Sequence, residues 1–273
     1  MNRRSTLTLL SGVLSLGLAG LSAMPASADT LDDIIARKKI LVAIDLGNPP
    51  HGMMDTAFKP TGSDVETAQL LAKDLGVELE IVQVSTPNRV QYLMAKKADV
   101  VISALSITDE RKKVIDFSTA YAELQCVVAA PKAMQISSYA DLGGKGGISV
   151  TRGTVNDQEL TRGTANVKDV TITRFEDDPT STTAITSGQL KIYATSLPLL
   201  NQLRKDNPQL DLDTKFVMKG FPLGIALRKN EPKLKAKLDE WVIANLKNGK
   251  LVEIYQRYHG VKLVPEELAA KSS

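Results

Sequence analysis

A single cysteine in 273 residues excludes an intramolecular disulfide and any metal site built from several thiolates. Cys126 stands in the apolar run 124–130, where a small buried strand residue is the expected reading rather than a nucleophile. The only two histidines, His51 and His259, are far apart in the chain and fit no metal-ligand spacing such as HExxH. His259 precedes Gly260 at the end of a helical pattern, where an imidazolium would complement the carbonyl end of the helix. Aromatic residues make up 4% of the chain, and 34 basic residues face 31 acidic ones. No basic stripe interleaved with aromatics exists, which argues against nucleic acid as a partner. The densest basic cluster, Lys233, Lys235 and Lys237, has leucines at helical spacing and reads as a solvated helix face. The glycine-rich segment 143–147 lacks the following Ser or Thr of a phosphate-cradling loop and reads as a flexible turn. No nucleophile–base pair, metal cluster or cofactor motif is present, so no metal and no cofactor is expected.

Long apolar runs are missing as well, except at the start. Arg3 and Arg4 precede an apolar stretch over residues 7–21, and Ala26, Ser27 and Ala28 form a small-residue cleavage motif before Asp29. A retained anchor needs about 18–20 apolar residues; this stretch is shorter and is broken by Gly and Ser. Residues 1–28 are therefore expected to be an export signal removed after Ala28, which places the mature chain in the periplasm. Two of the basic residues leave with the leader, so the mature chain is nearly neutral.

Short β-rich runs alternate with amphipathic helices along the remainder, an α/β pattern. Strands are predicted at 40–44, 77–84 and 98–102. Between them lie a helix opened by Ser63 and Glu66 at capping-box spacing and closed by Gly76, and a second helix over 88–97. After the strand 124–130 a second set follows: strands at 148–150, 170–175 and 190–194, a helix entered through Gly153 and Thr154, a helix with Asp178 as cap and Pro179 as its first residue, and a helix from Ser196. A last strand over 216–218, a returning strand at 223–227 and two helices at 231–247 and 251–258 complete the chain. Segments 127–132 and 222–228 read as crossings between two lobes. The expected lobe one thus comprises 29–128 and 224–273, lobe two comprises 129–223, and a ligand cleft lies between them.

The richest local signal is Ser106 followed by Arg111, just past the strand 98–102. A guanidinium is a planar fork of donors that grips a carboxylate bidentately, and a hydroxyl can take a remaining lone pair. The plain alternative for Ser106 is a helix cap.

Taken with Asp45, the pair Pro49 and Pro50, Gly62 to Glu66, Asn88 and Arg89, Ala98 and Asp99, Thr108, Asp116 to Ser118, Ser187 and Gly188, Asn248, Gly249 and Tyr258, these residues make a recognisable series. In their order and spacing the chain resembles the extracytoplasmic solute-binding proteins of polar amino-acid ABC transporters, solute-binding protein family 3. The resemblance implies the type II periplasmic binding protein fold, two α/β lobes joined by a two-segment hinge. It also implies that Arg111 grips a ligand α-carboxylate with help from Ser106, while Gly153 and Thr154 add N–H groups and a hydroxyl from lobe two. Arg89 matches a position that meets the ligand side chain in a branch including binders of acidic amino acids; as a residue on its own it reads equally as a surface helix residue.

Departures from the family pattern bear on ligand identity. Asn48 and His51 stand where aromatics often stack on the ligand, and Ala104 replaces a hydroxyl while leaving a backbone donor. The acid that usually binds the α-ammonium falls at Ser196, next to Thr195. Removing one partner of a buried ion pair typically costs about 3–5 kcal/mol, so either another acid substitutes or the ligand lacks an ammonium. Asp45 and Asp178 are the candidates, with capping as the alternative role for Asp178 and for Ser196.

The resemblance further implies hinge closure around one small solute, delivery to an ABC permease in the inner membrane, and a monomer. The competing enzyme reading is a cyclohexadienyl-dehydratase-like activity on the same fold. Glu176, Asp177 and Asp178 are its candidate acids, and a polar loop explains them as well.

Overall fold

The computed structural model describes residues 29–270, so the expected leader and its cleavage point lie outside the described residues. In chain order the strands are β1 (Lys39–Ile44), β2 (Met53–Met54), β3 (Pro60–Thr61), β4 (Glu78–Gln83), β5 (Val100–Val101), β6 (Ile115–Phe117), β7 (Ala122–Pro131), β8 (Gly147–Thr151), β9 (Thr171–Phe175), β10 (Ile192–Ser196), β11 (Leu212–Leu223) and β12 (Ala226–Arg228). The helices are α1 (Thr30–Arg37), α2 (Ser63–Leu75), α3 (Arg89–Met94), α4 (Asp109–Lys112), α5 (Val155–Gly163), α6 (Asp178–Thr186), α7 (Leu197–Asp206), α8 (Pro232–Lys247), α9 (Lys250–His259) and α10 (Pro265–Ala270).

Two five-stranded sheets result, in the orders β4-β1-β5-β12-β6 and β11-β7-β10-β8-β9. Apolar side chains on both faces of the central strands make each sheet a buried middle layer. In β1, Ile40, Val42 and Ile44 join the cluster under α2, α8 and α9, whereas Ala43 joins the cluster containing Leu93 of α3. In β7, Val128 and Ala130 face Leu160 of α5, and Val127 and Ala129 face Ile185 of α6 and Leu200 of α7. β1 is parallel to β4 and β5, and β8 is parallel to β9 and β10, so in each lobe the carboxyl ends of three strands share one edge.

β7 and β11 join the lobes as one antiparallel ribbon, with Leu223 opposite Ala122 at one end and Leu212 opposite Pro131 at the other. Its lobe-two part starts earlier than expected. Cys126 and Val127 already pair with Ser196 and Thr195 of β10, so the crossing anticipated at 127–132, and the boundary at 128, fall inside lobe two's ladder. A continuous apolar run carries no mark of where one lobe stops. On the return side, Ala226–Arg228 already pairs with β6 as β12, so the ribbon crosses just before it.

Several termini differ from the sequence reading for local reasons. The capping box at Ser63 and Glu66 does not form: Gly62 is the N-cap, and the N–H groups of Ser63 and Asp64 donate to the carbonyls of Pro50 (3.1 Å) and His51 (2.8 Å). A side chain at Gly62 would stand 2.3 Å from the His51 oxygen, and its φ of 124° favours glycine. Glu66 instead accepts from Tyr258 (2.6 Å) and pairs with Arg257 (2.6 Å). His259 is not a cation at its helix end. Burial, and then His51, push its pKa down to about 2; the ring stacks on Tyr255, and Nε2 lies 3.0 Å from Ser63 Oγ. Helices α1, α4 and α10 and strands β2, β3 and β6 have no counterpart in the sequence reading. Asp29 ties the first of these to the core, capping α1 at Leu31 N–H (3.1 Å) and α8 at Lys233 and Leu234 N–H (2.9 and 3.1 Å).

Leu71 of α2 is fully buried in the larger cluster of lobe one. Replacing it with alanine is expected to lower unfolding free energy by about 2–5 kcal/mol in chemical denaturation, with an unchanged m-value.

Candidate functional site

The strand edges of the two lobes face each other, and six strand ends supply the site. From lobe one come Asp45 and Asn48 after β1, Thr86 and Arg89 after β4, and Ala104, Ser106 and Arg111 after β5; from lobe two come Thr154 and Asn156 after β8, Asp178 after β9, and Thr195 with Ser196 at the end of β10. All of these except Asp45 line one cleft, with Leu124, Val155 and Leu199 as apolar wall. About 20 Å³ of space remains inside it, room for about one water, so a ligand the size of an amino acid enters only with the lobes further apart. Gly47 of lobe one approaches Pro179 of lobe two so closely that a Cβ on Gly47 would lie 2.9 Å from the proline ring.

Two cations line this cleft, and Arg111 is the less committed of them. Its Nη1 donates to Ser106 O (2.8 Å), and its backbone N–H donates to Thr108 Oγ1 (3.2 Å), which makes Thr108 and not Ser106 the cap of α4. No carboxylate among the described residues forms an ion pair with it. Burial, and then the charge of Arg89, lower its pKa to about 9, which leaves it cationic at neutral pH. Three buried oxygens of the same cleft lack a hydrogen-bond partner: Ser106 Oγ, Asn48 Oδ1 and Asn156 Oδ1. Buried polar groups are rarely left so.

Arg89 is used differently. It is buried rather than a surface residue, and it donates to the carbonyls of Thr86 (2.7 Å), Ser103 and Ala104 (3.2 Å), which fastens the loop after β5. Ala104 adopts a left-handed conformation with φ of 45°. The backbone donor expected to be available there is taken: Ala104 N–H donates to Asp64 Oδ2 at 2.7 Å. Gly153 N–H is likewise taken, by Asp157 (3.1 Å), and Gly153 does not line the cleft. Thr154 caps α5, so the donors that the first turn leaves open belong to Val155 and Asn156.

Asp178 is not the cap of α6. Asp177 occupies that position and accepts from Thr180 N–H (2.8 Å), with Pro179 at the second helical residue. The one-residue shift frees the Asp178 carboxyl, which is buried in the cleft and accepts from Thr151 of its own lobe. Its Oδ2 lies 3.1 Å from Thr86 Oγ1 of lobe one. Burial raises its pKa; the Thr151 hydrogen bond opposes this, Asp45 adds to it and Arg89 opposes it. Asp45 lies behind the wall, with Oδ1 accepting from Gly47 N–H (2.8 Å) and Oδ2 from Thr86 (2.6 Å). Ser196 caps α7 through Leu199 N–H (3.4 Å), and Thr195 is buried beside it. His51 lies away from the cleft, its Nδ1 3.7 Å from Asp64. Glu176 pairs with Arg152 at the surface (3.0 Å).

Thr86 and Asn156 are the polar residues the sequence reading missed. Asn156 sits two residues past the predicted helix-opening Thr154, which was signal enough; Thr86 carried none. Among the described residues no group of His, Cys, Asp or Glu side chains is placed to hold a metal ion.

An unpaired, half-buried cation is a liability until a ligand arrives. Arg111→Met is expected to leave the unliganded protein at least as stable as wild type in chemical denaturation. A clear loss of stability would mean that Arg111 holds the fold rather than waits for an anion.

Comparison with known proteins supplies the context. Residues 40–261 match the model of the bacterial extracellular solute-binding proteins, family 3. The L-cystine-binding protein TcyJ of Escherichia coli is 32% identical over 257 residues, 92% of this chain and 94% of the relative. The ABC transporter glutamine-binding protein GlnH of Bacillus subtilis is 26% identical, covering 92% of each chain. Among solved structures, holo ArgBP from T. maritima superposes with a TM-score of 0.72 at 30% identity, covering 79% of this chain and 93% of that one. The ancestral amino acid-binding protein AncCDT-1, a precursor of cyclohexadienyl dehydratase, superposes at 0.76 with 28% identity, covering 84% and 99%. The curated relatives are binding proteins rather than enzymes. With a two-lobed α/β fold, a cleft at six strand ends and this match over most of its length, the chain belongs to the bacterial extracellular solute-binding proteins of family 3.

Proposed function

We propose that the mature chain, cleaved after Ala28 and acting as a monomer in the periplasm, captures an α-amino acid with a polar side chain for an ABC permease of the inner membrane. The observation that carries this reading is a cation and a carboxyl group in one cleft: the half-buried, unpaired Arg111 on lobe one and the buried Asp178 on lobe two. A zwitterion satisfies both. Its carboxylate meets Arg111, with Ser106 Oγ and the N–H groups of Val155 and Asn156 as further donors, and its ammonium meets Asp178, which takes over from the acid that Ser196 lacks. Asn48 and Asn156 offer amide groups to a polar side chain. The relatives named for cystine and glutamine, and arginine-binding relatives such as that of Pseudomonas aeruginosa (27% identical), support a ligand of this class.

The open form binds through lobe one, and closure adds the contacts of lobe two. A ligand shifts that equilibrium only by its differential affinity for the two states, which the charge on each lobe supplies. The dehydratase alternative would ask Asp178 to act as a general acid; its raised pKa suits that role as well, and the curated relatives, named as binding proteins, favour ammonium binding.

Thermal shift of ligand-stripped protein with L-cystine, L-glutamine and L-arginine, each beside its amine-free analogue, tests the reading. Stabilisation of about 2.7 kcal/mol is expected at a hundredfold excess over Kd, confined to the α-amino acids. Calorimetry on Arg111→Ala should show binding reduced beyond detection. Unchanged affinity, or equal stabilisation by the amine-free compounds, would refute the assignment.

A further inference from the structure

Thr86 carries one hydroxyl proton and touches two carboxyl groups. Its Oγ1 lies 2.6 Å from Asp45 Oδ2, in its own lobe, and 3.1 Å from Asp178 Oδ2, in the other. The hydroxyl donates to the nearer oxygen, Asp45 Oδ2 at 2.6 Å against Asp178 Oδ2 at 3.1 Å. The second contact then closes only if Asp178 supplies a proton of its own. With that proton every group donates once and in one direction: Thr151 to Asp178, Asp178 to Thr86, Thr86 to Asp45. Without it, two ionised carboxyl groups flank one hydroxyl in a site almost closed to water.

The surroundings offer little else to hold a second negative charge. The groups that face Asp178 are Asp45 from the end of β1, Thr86 and Arg89 from the turn after β4, Thr151 from β8, Ser181 of its own helix and Tyr193 from β10. Tyr193, its pKa pushed up to about 12 by burial, stays neutral. Arg89 is the one cation, and three of its donors are committed to carbonyls.

We infer that capture in this cleft is an exchange of cations, in which the ligand ammonium displaces the proton that otherwise joins Asp178 to Thr86. The inference rests on the proposed ammonium site and adds a stoichiometry to it. The proton leaves the Asp178 carboxyl for solvent, the ammonium brings the same charge with three donors, and the net charge of the cleft is unchanged by that step. The sign follows. The bound state needs the carboxylate, so affinity is full above the raised pKa of free Asp178 and declines as pH falls through it, above the ordinary carboxylate range.

Isothermal titration of the mature protein tests this, using whichever of L-cystine, L-glutamine and L-arginine stabilises it. Heats are compared in acetate or phosphate, which ionise with little enthalpy, and in imidazole or Tris, which ionise with much. In the acidic range the heat should depend on the buffer with a slope approaching about one proton released per ligand, and this slope should vanish toward neutral and basic pH. Asp178→Asn keeps a donor toward Thr86 and an acceptor toward Thr151; it should bind more weakly, with no buffer dependence at any pH. Wild-type binding with buffer-independent heat throughout would overturn the exchange while sparing the amino-acid reading. A slope that persists in Asp178→Asn would also overturn it by assigning the proton elsewhere. Failure of all three amino acids to bind would remove the reading and the inference together.

Discussion

Two guanidinium groups of the cleft, Arg89 buried and Arg111 half-buried, form no ion pair with a carboxylate among the described residues, and they set the terms for everything around them. A buried charge is tolerated only where hydrogen bonds replace its hydration, and the two arginines meet that demand to different degrees. Arg89 is held by three carbonyls, two of them from Ser103 and Ala104. The loop that offers those carbonyls turns through a left-handed residue, and its N–H passes to Asp64. The same Asp64 carboxyl accepts from Tyr121, which lies at the mouth of the ribbon between the lobes. Arg111 has one carbonyl, from Ser106. The contrast separates a structural arginine from a receptive one and runs with depth of burial, since Arg89 is buried and Arg111 half-buried.

Much of this was legible before any coordinates. Strand ends carrying Ser106, Arg111, Thr154 and Ser196 could be placed from hydrophobic pattern and turn residues, and the family resemblance gave the two-lobed plan. What could not be read was which neighbour takes each hydrogen bond. Asp177 and Asp178 are both reasonable caps before a proline, because proline fits the first turn at either position; one residue of phase decides whether Asp178 faces the helix end or the cleft. The box at Ser63 and Glu66 has the right letters, but carbonyls from residues 50 and 51, distant in sequence pattern though adjacent in space, fill the helix end first. His259 has the right position for a cation and the wrong surroundings, since burial, and then a second histidine with centroids 4.5 Å away, disfavour the charge. In each case a tertiary neighbour overrides a local rule.

Lobe one organises its two ligand loops around a single acid. Asp64 N–H holds His51 O, Asp64 Oδ2 holds Ala104 N–H, and Asp64 Oδ1 accepts from Tyr121. The loop with Asn48 and the loop with Ser106 therefore share one anchor at the start of α2, and neither can shift without the other. Lobe two has its own tie in Ser181, which bonds Thr151 of β8 and Tyr193 of β10, and its contributions to the cleft are the helix caps Thr154 and Ser196 together with Asp178. Two organised halves that meet on closure suit a protein that must admit its ligand before enclosing it.

The ribbon of β7 and β11 decides how that enclosure is timed. In an antiparallel pair the hydrogen bonds lie across the strands, so twisting the ribbon about its long axis turns one lobe against the other with the ladder intact. The register shifts between Thr214 and Phe216 and between Val217 and Lys219 concentrate such twist on the lobe-two side of β11. A joint of this kind adds little barrier of its own. The lifetime of the closed state, and with it the dissociation rate of whatever is held, is then governed by contacts across the cleft, at Gly47 with Pro179 and from each lobe to the ligand, rather than by the stiffness of the hinge.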